Sequence, residues 1–267
     1  MLCTLHLDAT NLVAPTPSVT LPPSIAQMPA VPVTELAGNS LLADLPPEES
    51  EAIRAAAERV RPRMRQSIHE QGGSIEHVYF PQTGVFSLLS EIADGSVIET
   101  LAVGNEGVVG LPALLGVNRS LVRAMCQVSG WALRIPAATL VEAAPRDGVL
   151  FDRLVRYSQA QVASLSRSVA CNRLHSAEQR YARWVLTMHD RVGLDEFSIT
   201  QDFLAQMLGV TRPTVSLVGQ ELQTRGLIHY AKGRLTVDDR AGLERIACDC
   251  YGSIRDAFSQ LLGVRRG

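Results

Sequence analysis

Residues 200–226 read TQDFLAQMLGVTRPTVSLVGQELQTRG, and this stretch has the spacing of a helix-turn-helix. Ala205 is small where a second helix would cross the first. Gly209 falls in the turn, where glycine adopts a positive φ without steric cost. Val215 would be the apolar residue that packs the second helix against the first. The spacing therefore predicts two short helices that meet at a tight turn.

Four residues at the helix ends support this interpretation. Thr200 and Thr211 are favourable N-caps, because a threonine hydroxyl accepts a hydrogen bond from a free backbone N–H. Pro213 is tolerated in the first turn of the second helix, where it has no backbone hydrogen bond to lose. Gly226 is a typical helix terminator.

The second helix is polar on the face that a partner would meet. Arginine suits guanine edges and phosphates, and hydroxyl groups suit phosphates, so this face favours DNA binding. The alternative is an ordinary helical hairpin packed inside a domain. The predicted DNA-binding residues, with two from the hairpin that follows, are Thr200, Gln201, Thr211, Arg212, Thr214, Ser216, Gln220, Lys232 and Arg234.

After this helix comes LIHYAKGRLTVDD, which has the pattern of a β-hairpin. Residues 227–230 and 235–237 favour short strands, and Lys232 with Gly233 supplies the turn that two-residue hairpins prefer. Lys232 and Arg234 would project from this wing towards a phosphate backbone. The stretch therefore predicts a winged helix.

Composition indicates a globular chain long enough for two domains. It has 267 residues, 46% hydrophobic content and a formal net charge of −2, so it is not a globally basic protein. We find no run of about 18 apolar residues and no basic segment at the start, so neither a membrane span nor a signal peptide is expected. The sequence favours a cytoplasmic protein.

The five cysteines are Cys3, Cys126, Cys171, Cys248 and Cys250. They are scattered and form no CxxC pair, so their spacing predicts neither a disulfide framework nor a zinc site. For Cys248 and Cys250, a metal or redox role is the alternative to a partly buried helix face. We expect no metal site and no cofactor.

Composition changes along the first half of the chain. Residues 1–38 are rich in proline, threonine and alanine, which predicts a flexible tail. Residues 39–145 follow as a sensor domain, with a helical segment at 39–60, strands from 63 onward and a short helix at 137–144.

Glycines punctuate the strand region at intervals of 11 or 12 residues, at Gly72, Gly84, Gly95 and Gly107. The apolar runs HVYF, VFSLL, VIETLAV and WALRI have the length of short strands. This spacing is typical of a β-roll, and a roll usually encloses a pocket. A solid β-core without a ligand is the alternative.

Residues 146–172 have the pattern of one long helix, with Asp147 as its N-cap. Apolar residues follow the alternating four-three rhythm of a two-stranded coiled coil, with one polar position. The alternative is that this stripe packs on the chain's own roll. A homodimer would present two recognition helices about one DNA turn apart to a palindrome-like site. The predicted dimer interface is Leu150, Leu154, Tyr157, Gln161 and Leu165.

The remaining chain divides into a winged helix-turn-helix domain at 173–245 and a C-terminal helix or tail at 246–267. The domain's first helix is predicted from an apolar stripe at Tyr181, Trp184, Val185 and Met188. Arg173 and His175 lie at the junction with the long helix, where a hinge role and a capping role are both open.

With these motifs the chain resembles the Crp/Fnr family of bacterial transcription regulators over roughly residues 40–245. The resemblance rests on the glycine-punctuated roll, the long helix and the motif ITQDFLAQMLGVTRPTVSLVGQELQTRGLI. It implies an α+β fold with an N-terminal cyclic-nucleotide-binding-like β-roll, a long dimerisation helix and a C-terminal winged helix-turn-helix.

The resemblance also implies roles within the second helix of the motif. Thr211 and Thr214 match hydroxyl positions that hold phosphates, and Arg212 matches the arginine that reads a guanine. Pro213 stands where cyclic-AMP-responsive members carry glutamate, and Leu217 where many members carry arginine. We therefore expect a DNA sequence different from the one that those members bind.

The ligand pocket departs further from the family pattern. Leu111 and Pro112 follow Gly110 where nucleotide-binding members have glutamate, and Arg119–Ser120 comes slightly early for the pair that holds the cyclic phosphate. A buried phosphate without such partners is costly, so cyclic AMP binding is not expected. The candidate effector pocket consists of Gly107, Gly110, Leu111, Arg119, Ser120 and Arg123.

Two metal-containing cofactors of the family are also not expected. Oxygen-sensing members cluster cysteines near the N-terminus, where this chain has only Cys3. Haem would need axial ligands such as His69 or His77, and lone histidines are more often surface or capping residues.

The sequence thus favours a regulator that binds double-stranded DNA as a homodimer, with an unidentified effector and RNA polymerase as a further candidate partner. The alternative is a small-molecule or cyclic-nucleotide sensor module whose winged helix binds a protein. No GxSxG, HExxH, GxGxxG or P-loop spacing was found, so an enzyme is not expected.

Overall fold

The computed structural model describes residues 31–263, without the side chain of Val33. Most of the predicted tail, with Cys3, and residues 264–267 lie outside the described residues. Within 31–263 no helix is both long and apolar enough to cross a membrane.

The N-terminal part is a β-roll with four short helices. Its helices are α1 Val33–Leu36, α2 Pro47–Ala56, α3 Leu111–Leu114 and α4 Ala137–Ala143. Its strands are β1 Glu58–Val60, β2 Ser67–His69, β3 His77–Pro81, β4 Val85–Glu91, β5 Val97–Val103, β6 Arg123–Val128 and β7 Ala132–Pro136.

The rest of the chain is mainly helical. The long helix α5 spans Val149–Leu174. The C-terminal elements are α6 Ala177–Val192, β8 Glu196–Ser198, α7 Gln201–Leu208, α8 Arg212–Thr224, β9 Ile228–Ala231, β10 Arg234–Val237, α9 Arg240–Ile246 and α10 Cys250–Leu262.

The roll consists of two antiparallel sheets, in the strand orders β1–β7–β3 and β2–β6–β4–β5. The four predicted apolar runs are β3, β4, β5 and β7, so the predicted roll is confirmed; β1, β2 and β6 were missed. One buried apolar cluster has members on both sheets, among them Phe86, Val103, Cys126 and Ala132. The interior of the roll is therefore filled by side chains.

Residues 31–38 belong to the folded core, which corrects the predicted end of the tail. Val31 and Leu36 are buried, and Arg54 Nε donates to the carbonyl of Val31 at 2.8 Å. The helix predicted for 39–60 is confined to α2, because Pro47 at its first position cannot continue a helix towards the N-terminus.

The long helix α5 is present, but Asp147 is not its N-cap. Gly148 occupies that position without a side-chain cap. Glu49 of α2 supplies the missing acceptors, because its two carboxylate oxygens accept from Val149 N and Leu150 N, both at 2.8 Å. A negative charge here also complements the helix dipole. Helix α5 is thereby fixed to α2.

One face of α5 closes the core of the roll. Leu150, Leu154 and Tyr157 are at most 1% exposed and pack in the core cluster of the roll. A side chain at Gly107 would collide with the ring of Tyr157. These three residues are unavailable to a second chain, which corrects the predicted dimer interface. For these residues the alternative prediction is correct, because they pack on the roll of their own chain.

A different apolar stripe of α5 is exposed. Val155, Val162 and Val169 are separated by seven residues each and are 39%, 56% and 73% exposed, and Leu165 beside them is 37% exposed. We call these four residues the exposed valine stripe. At about 100° per residue, the stripe lies roughly a third of a turn from the buried face.

The C-terminal domain is built around α6. Tyr181, Trp184, Val185 and Met188 are buried in α6, as predicted. Strand β8 joins the hairpin in the order β8–β10–β9. Helix α10 returns to lie along α5, where the rings of Phe258 and Tyr157 meet edge-on at 6.1 Å.

The roll and the C-terminal domain share an interface with polar and apolar contacts. Trp184 Nε1 donates to Glu99 Oε1 at 3.0 Å. Arg191 Nε donates to Glu106 Oε1 at 2.8 Å, and both side chains are more than nine-tenths buried. Leu89 of β4 belongs to the same buried apolar cluster as the core of the C-terminal domain. This interface sets where α7 and α8 lie relative to the roll.

Candidate DNA-binding interface

The helix-turn-helix lies where the sequence predicted it. Ala205 of α7 is 6% exposed and Val215 of α8 is 1% exposed, as expected of the crossing point of the two helices. Gly209 ends α7 with φ of 60°, a conformation that costs glycine least. After it, Val210 N donates to Ala205 O at 3.0 Å, which closes the turn.

Both helices are capped by the predicted threonines. Thr200 Oγ1 accepts from Phe203 N at 3.2 Å, and Thr211 Oγ1 accepts from Thr214 N at 3.4 Å. Pro213 lies in the first turn of α8. Gly226, with φ of 68°, follows its end. These local bonds hold the N-terminal end of α8 in a defined orientation.

The first turns of α7 and α8 come together. Ser216 Oγ donates to Gln201 Oε1 at 2.8 Å, and the hydroxyls of Thr211 and Thr214 are 2.9 Å apart. Five of the predicted residues, counting Arg212 at the start of α8, therefore form one polar surface at this end of the motif.

Arg212 is available to a ligand on this surface. Its Nε lies 3.5 Å from Asp202 Oδ1, with the two side chains 63% and 65% exposed. Such an exposed ion pair contributes little in water, so a phosphate or a base can replace the carboxylate at low cost. Gln220 and Leu217, further along α8, are exposed as well.

The wing is the hairpin β9–β10. Lys232 and Gly233 have φ of 51° and 76°, as a type I′ turn requires. Lys232 and Arg234 are exposed, and Arg234 Nη1 donates to Glu196 Oε1 at 2.7 Å. Glu196 lies on β8, which the sequence did not reveal, and it neutralises part of the wing's positive charge.

Tyr230 fixes the wing against the helix-turn-helix. Its hydroxyl donates to the carbonyl of Ile199 at 2.9 Å, and its backbone N–H donates to Gln223 Oε1 of α8 at 2.9 Å. Burial raises the pKa of the Tyr230 hydroxyl, so it remains a donor at neutral pH. The wing is therefore hydrogen-bonded both to α8 and to the start of the helix-turn-helix.

The polar residues of the candidate effector pocket bond to the roll itself. Arg119 Nε donates to Gly72 O at 2.9 Å, and Ser120 Oγ donates to Val122 O at 2.6 Å. Arg123 Nη1 pairs with Glu91 Oε1 at 3.0 Å.

The apolar members of that pocket have structural roles. Gly110, with φ of 98°, precedes α3, and Leu111 is 7% exposed in the core of the roll. Gly107 is the residue against which Tyr157 packs. The structure thus places all six predicted residues in the framework of the roll.

A small cavity lies between the roll and the helices. Its volume is about 50 Å³, and strands and helices β5, α5, α6, α7 and α10 line it with residues that include Glu99, Ser164, Arg183 and Arg191. None of the six predicted pocket residues lines it. Pockets for drug-sized ligands measure about 300–1,000 Å³, so this cavity does not accommodate a cyclic nucleotide.

Four side chains that the sequence did not connect lie together where α5 ends. The ligand atoms of Cys171, His175, Cys248 and Cys250 all lie within 4.8 Å of one another. Cys171 and Cys248 are 77 residues apart, so no local motif links them. The expectation of no metal site was based on the spacing of the cysteines along the chain. In the folded protein, residues that are far apart in the sequence come together as a group of possible metal ligands.

Comparison with known proteins supports the helix-turn-helix and the fold. Residues 179–246 match the family model of the Crp-like helix-turn-helix domain. The chain is similar to the solved structure of FixK2 from Bradyrhizobium japonicum, with 19% identity, 72% of this chain and 98% of that chain covered, and a TM-score of 0.62. No curated protein sequence gives a significant match.

Two solved regulators from Thermus thermophilus show the same likeness. TTHB099, of the CRP family, is 21% identical, with 71% of this chain and 96% of that chain covered and a TM-score of 0.60. TTHA1359, of the CRP/FNR family, is 22% identical, with 71% of this chain and 98% of that chain covered and a TM-score of 0.57.

These findings define the class of the protein. Its C-terminal domain is a Crp-like helix-turn-helix domain, and the chain has the fold of the Crp/Fnr regulators. The resemblance identified in the sequence is confirmed. The family match covers the part of the chain that carries the helix-turn-helix, and the likeness to solved regulators concerns the fold.

Proposed function

We propose that the protein is a homodimeric, sequence-specific transcription regulator that places α8 in the major groove of a palindrome-like DNA site. The observation that carries the proposal is the exposed polar surface at the start of α8, with Lys232 and Arg234 of the wing on the same domain. A recognition helix in the groove and a wing over the backbone would use these two surfaces together.

The residues of α8 suit different parts of a DNA site. The guanidinium of Arg212 can bond to a guanine edge in the two-pronged geometry that favours this base. Thr211 and Thr214 offer hydroxyls to phosphates. Leu217 is 69% exposed. It cannot hydrogen-bond to a base, but its apolar side chain can contact a thymine methyl group.

The exposed valine stripe supports a homodimer through α5. Val155, Val162 and Val169 repeat every seven residues, and Leu165 falls three residues after Val162. The three valines are a positions of a heptad and Leu165 is one d position, and β-branched a residues with leucine at d favour two parallel strands. A second copy of α5 is the partner that this pattern fits. The two-fold axis would then relate the two α8 helices.

We also propose that the roll does not respond to cyclic AMP. Its interior is filled by the Phe86 cluster, and Arg119, Ser120 and Arg123 bond to the roll itself. A cyclic phosphate there would have to displace these bonds and open a cavity, and both changes cost free energy.

Selection of bound sequences from a randomised duplex, with and without cyclic AMP and cyclic GMP, tests the proposal. We expect a palindromic motif that is enriched equally in all conditions. Arg212→Ala should weaken binding to this motif by about 1–3 kcal/mol, or about 5- to 150-fold. Arg63→Ala, at an exposed arginine of the roll, is the matched control and should bind like the parent.

Each part of the proposal has its own contrary result. No enriched motif at low salt would mean that the winged helix serves a protein partner instead. A motif that appears only with a cyclic nucleotide would disprove the statement about the roll and leave DNA recognition by α8 intact.

A further inference from the structure

Three cysteines and a histidine converge where α5 meets α10. Cys171 lies in the last turn of α5, and His175 is the residue that follows the helix. Cys248 precedes α10, and Cys250 is its first residue. All three cysteines are buried and make up a separate cluster, and His175 is partly buried.

The distances fit one ion with four ligands. The sulfurs of Cys171 and Cys248 are 3.4 Å apart, and Cys250 Sγ lies 3.6 Å from His175 Nδ1. Bonds of about 2.3 Å to sulfur and about 2.0 Å to nitrogen at tetrahedral angles place ligand atoms about 3.5–3.8 Å apart. All four ligand atoms lie within 4.8 Å of one another, so small side-chain shifts complete a tetrahedron.

The surroundings of His175 support the same geometry. Its Nε2 lies 3.6 Å from Asp249 Oδ1, and its Nδ1 is directed to Cys250. A small side-chain shift would bring this carboxylate within hydrogen-bond distance of Nε2, and such a bond leaves Nδ1 free for a metal. The backbone favours this position too, because His175 N donates to Cys171 O at 3.1 Å and so keeps the two residues one helical turn apart.

We propose that Cys171, His175, Cys248 and Cys250 form a binding site for one Zn²⁺ ion, which ties α10 to the end of α5. Three thiolates and one imidazole are a donor set that zinc prefers, and four protein ligands leave no open position, as in structural zinc sites. An iron–sulfur cluster distributes its cysteines over different iron atoms, which requires wider separations than these. Binding releases the thiol protons to solvent.

The position of the site gives it a structural consequence. His175 and Ser176 connect α5 to α6, the first helix of the DNA-binding domain. The ion would hold this connection and the start of α10 together. Loss of zinc would therefore loosen the contact of α10 with α5, including the Phe258–Tyr157 pair.

Metal analysis of the full-length protein, purified without chelators, tests the site directly. We expect about one zinc per chain, and Cys171→Ser or Cys250→Ser should reduce it to near zero. Cys126→Ser is the matched control, because Cys126 is also buried but lies in the roll, and it should retain the zinc. Removal of zinc by a chelator should lower the melting temperature of the parent but not change that of Cys171→Ser.

Cobalt keeps the test decisive if a variant fails to fold. The metal-free parent protein titrated with Co²⁺ under reducing conditions should develop the strong visible absorption of tetrahedral cobalt bound to thiolates, to an end point at about one ion per chain. Three results would overturn the proposal: no zinc together with no cobalt spectrum, an iron–sulfur chromophore, or a thiol count that shows Cys171 and Cys248 joined as a disulfide.

Discussion

At the scale of single residues, Arg191 and Glu106 form a buried ion pair between the roll and the DNA-binding domain. The side chains are 9% and 5% exposed, and Glu106 Oε1 also accepts from Gly104 N at 3.1 Å. A buried charge without its partner is unfavourable by several kcal/mol, whereas the pair as a whole is close to neutral relative to apolar residues.

Arg191→Met should therefore destabilise the protein by about 3–5 kcal/mol, because it removes the buried guanidinium that pairs with the Glu106 carboxylate. Urea denaturation at one fixed protein concentration measures this change. The double substitution Arg191→Met with Glu106→Gln should recover part of the loss. Arg156→Met, which breaks the exposed pair with Asp152, is the control and should cost less than about 1 kcal/mol. Equal losses of unfolding free energy in Arg191→Met and Arg156→Met would contradict this account.

At the scale of elements, α5 has three faces in three different environments. Leu154 and Tyr157 pack on the roll, Cys171 packs against the start of α10, and the exposed valine stripe is free in the single chain. A helix that closes a core on one side can thus carry a dimer seam on another. The buried face and the exposed valine stripe contain similar numbers of apolar residues. The periodicity of the sequence alone therefore does not show which of them packs on the roll.

Val162→Glu should convert the proposed dimer to a monomer, because it places a charge at the middle a position of the proposed seam in each chain. Light scattering should give a mass near 28.9 kDa where the parent gives twice that value. Val141→Glu on α4, where the parent valine is 49% exposed, is the control and should remain a dimer. A dimeric Val162→Glu variant would place the seam elsewhere. The monomer should also lose affinity for the selected palindrome.

At the scale of the whole molecule, Glu99 lies where the roll meets the DNA-binding domain. Burial raises the pKa of its carboxyl, against the opposing effects of hydrogen bonds from Ser87 and Trp184 and of the charges of Arg191 and Arg183. The folded protein then holds this proton more tightly than the unfolded chain does. The protonated Glu99 carboxyl therefore contributes most to the unfolding free energy at low pH. This contribution is lost as the pH rises from 4.5 through the raised pKa.

Glu99→Gln should flatten the dependence of the unfolding free energy on pH above 4.5, because glutamine keeps an acceptor for Trp184 and does not ionise. A series of urea denaturation curves across this pH range measures the slope. Glu142→Gln, at an exposed glutamate of α4, should leave the parent's slope unchanged. A Glu99→Gln variant with the parent's slope would show that another group is responsible.

The sequence by itself determined the helix-turn-helix, the wing and most of the roll. Ala205, Gly209 and Val215 lie close together in the chain, and each reports a local requirement: a small residue, a positive φ or an apolar contact. Turn glycines and caps act over a few residues as well. Such signals can be read before anything is known of the tertiary structure, because the physics that produces them is local.

Only the tertiary structure decided how the elements are joined. Glu49 caps α5 from 100 residues away, although Asp147 was the local candidate. Leu154 and Tyr157 face the roll rather than a partner chain, and Cys171 meets Cys248 across 77 residues. The physical reason is that a helix presents several faces, and its neighbours in space select among them only when the core closes.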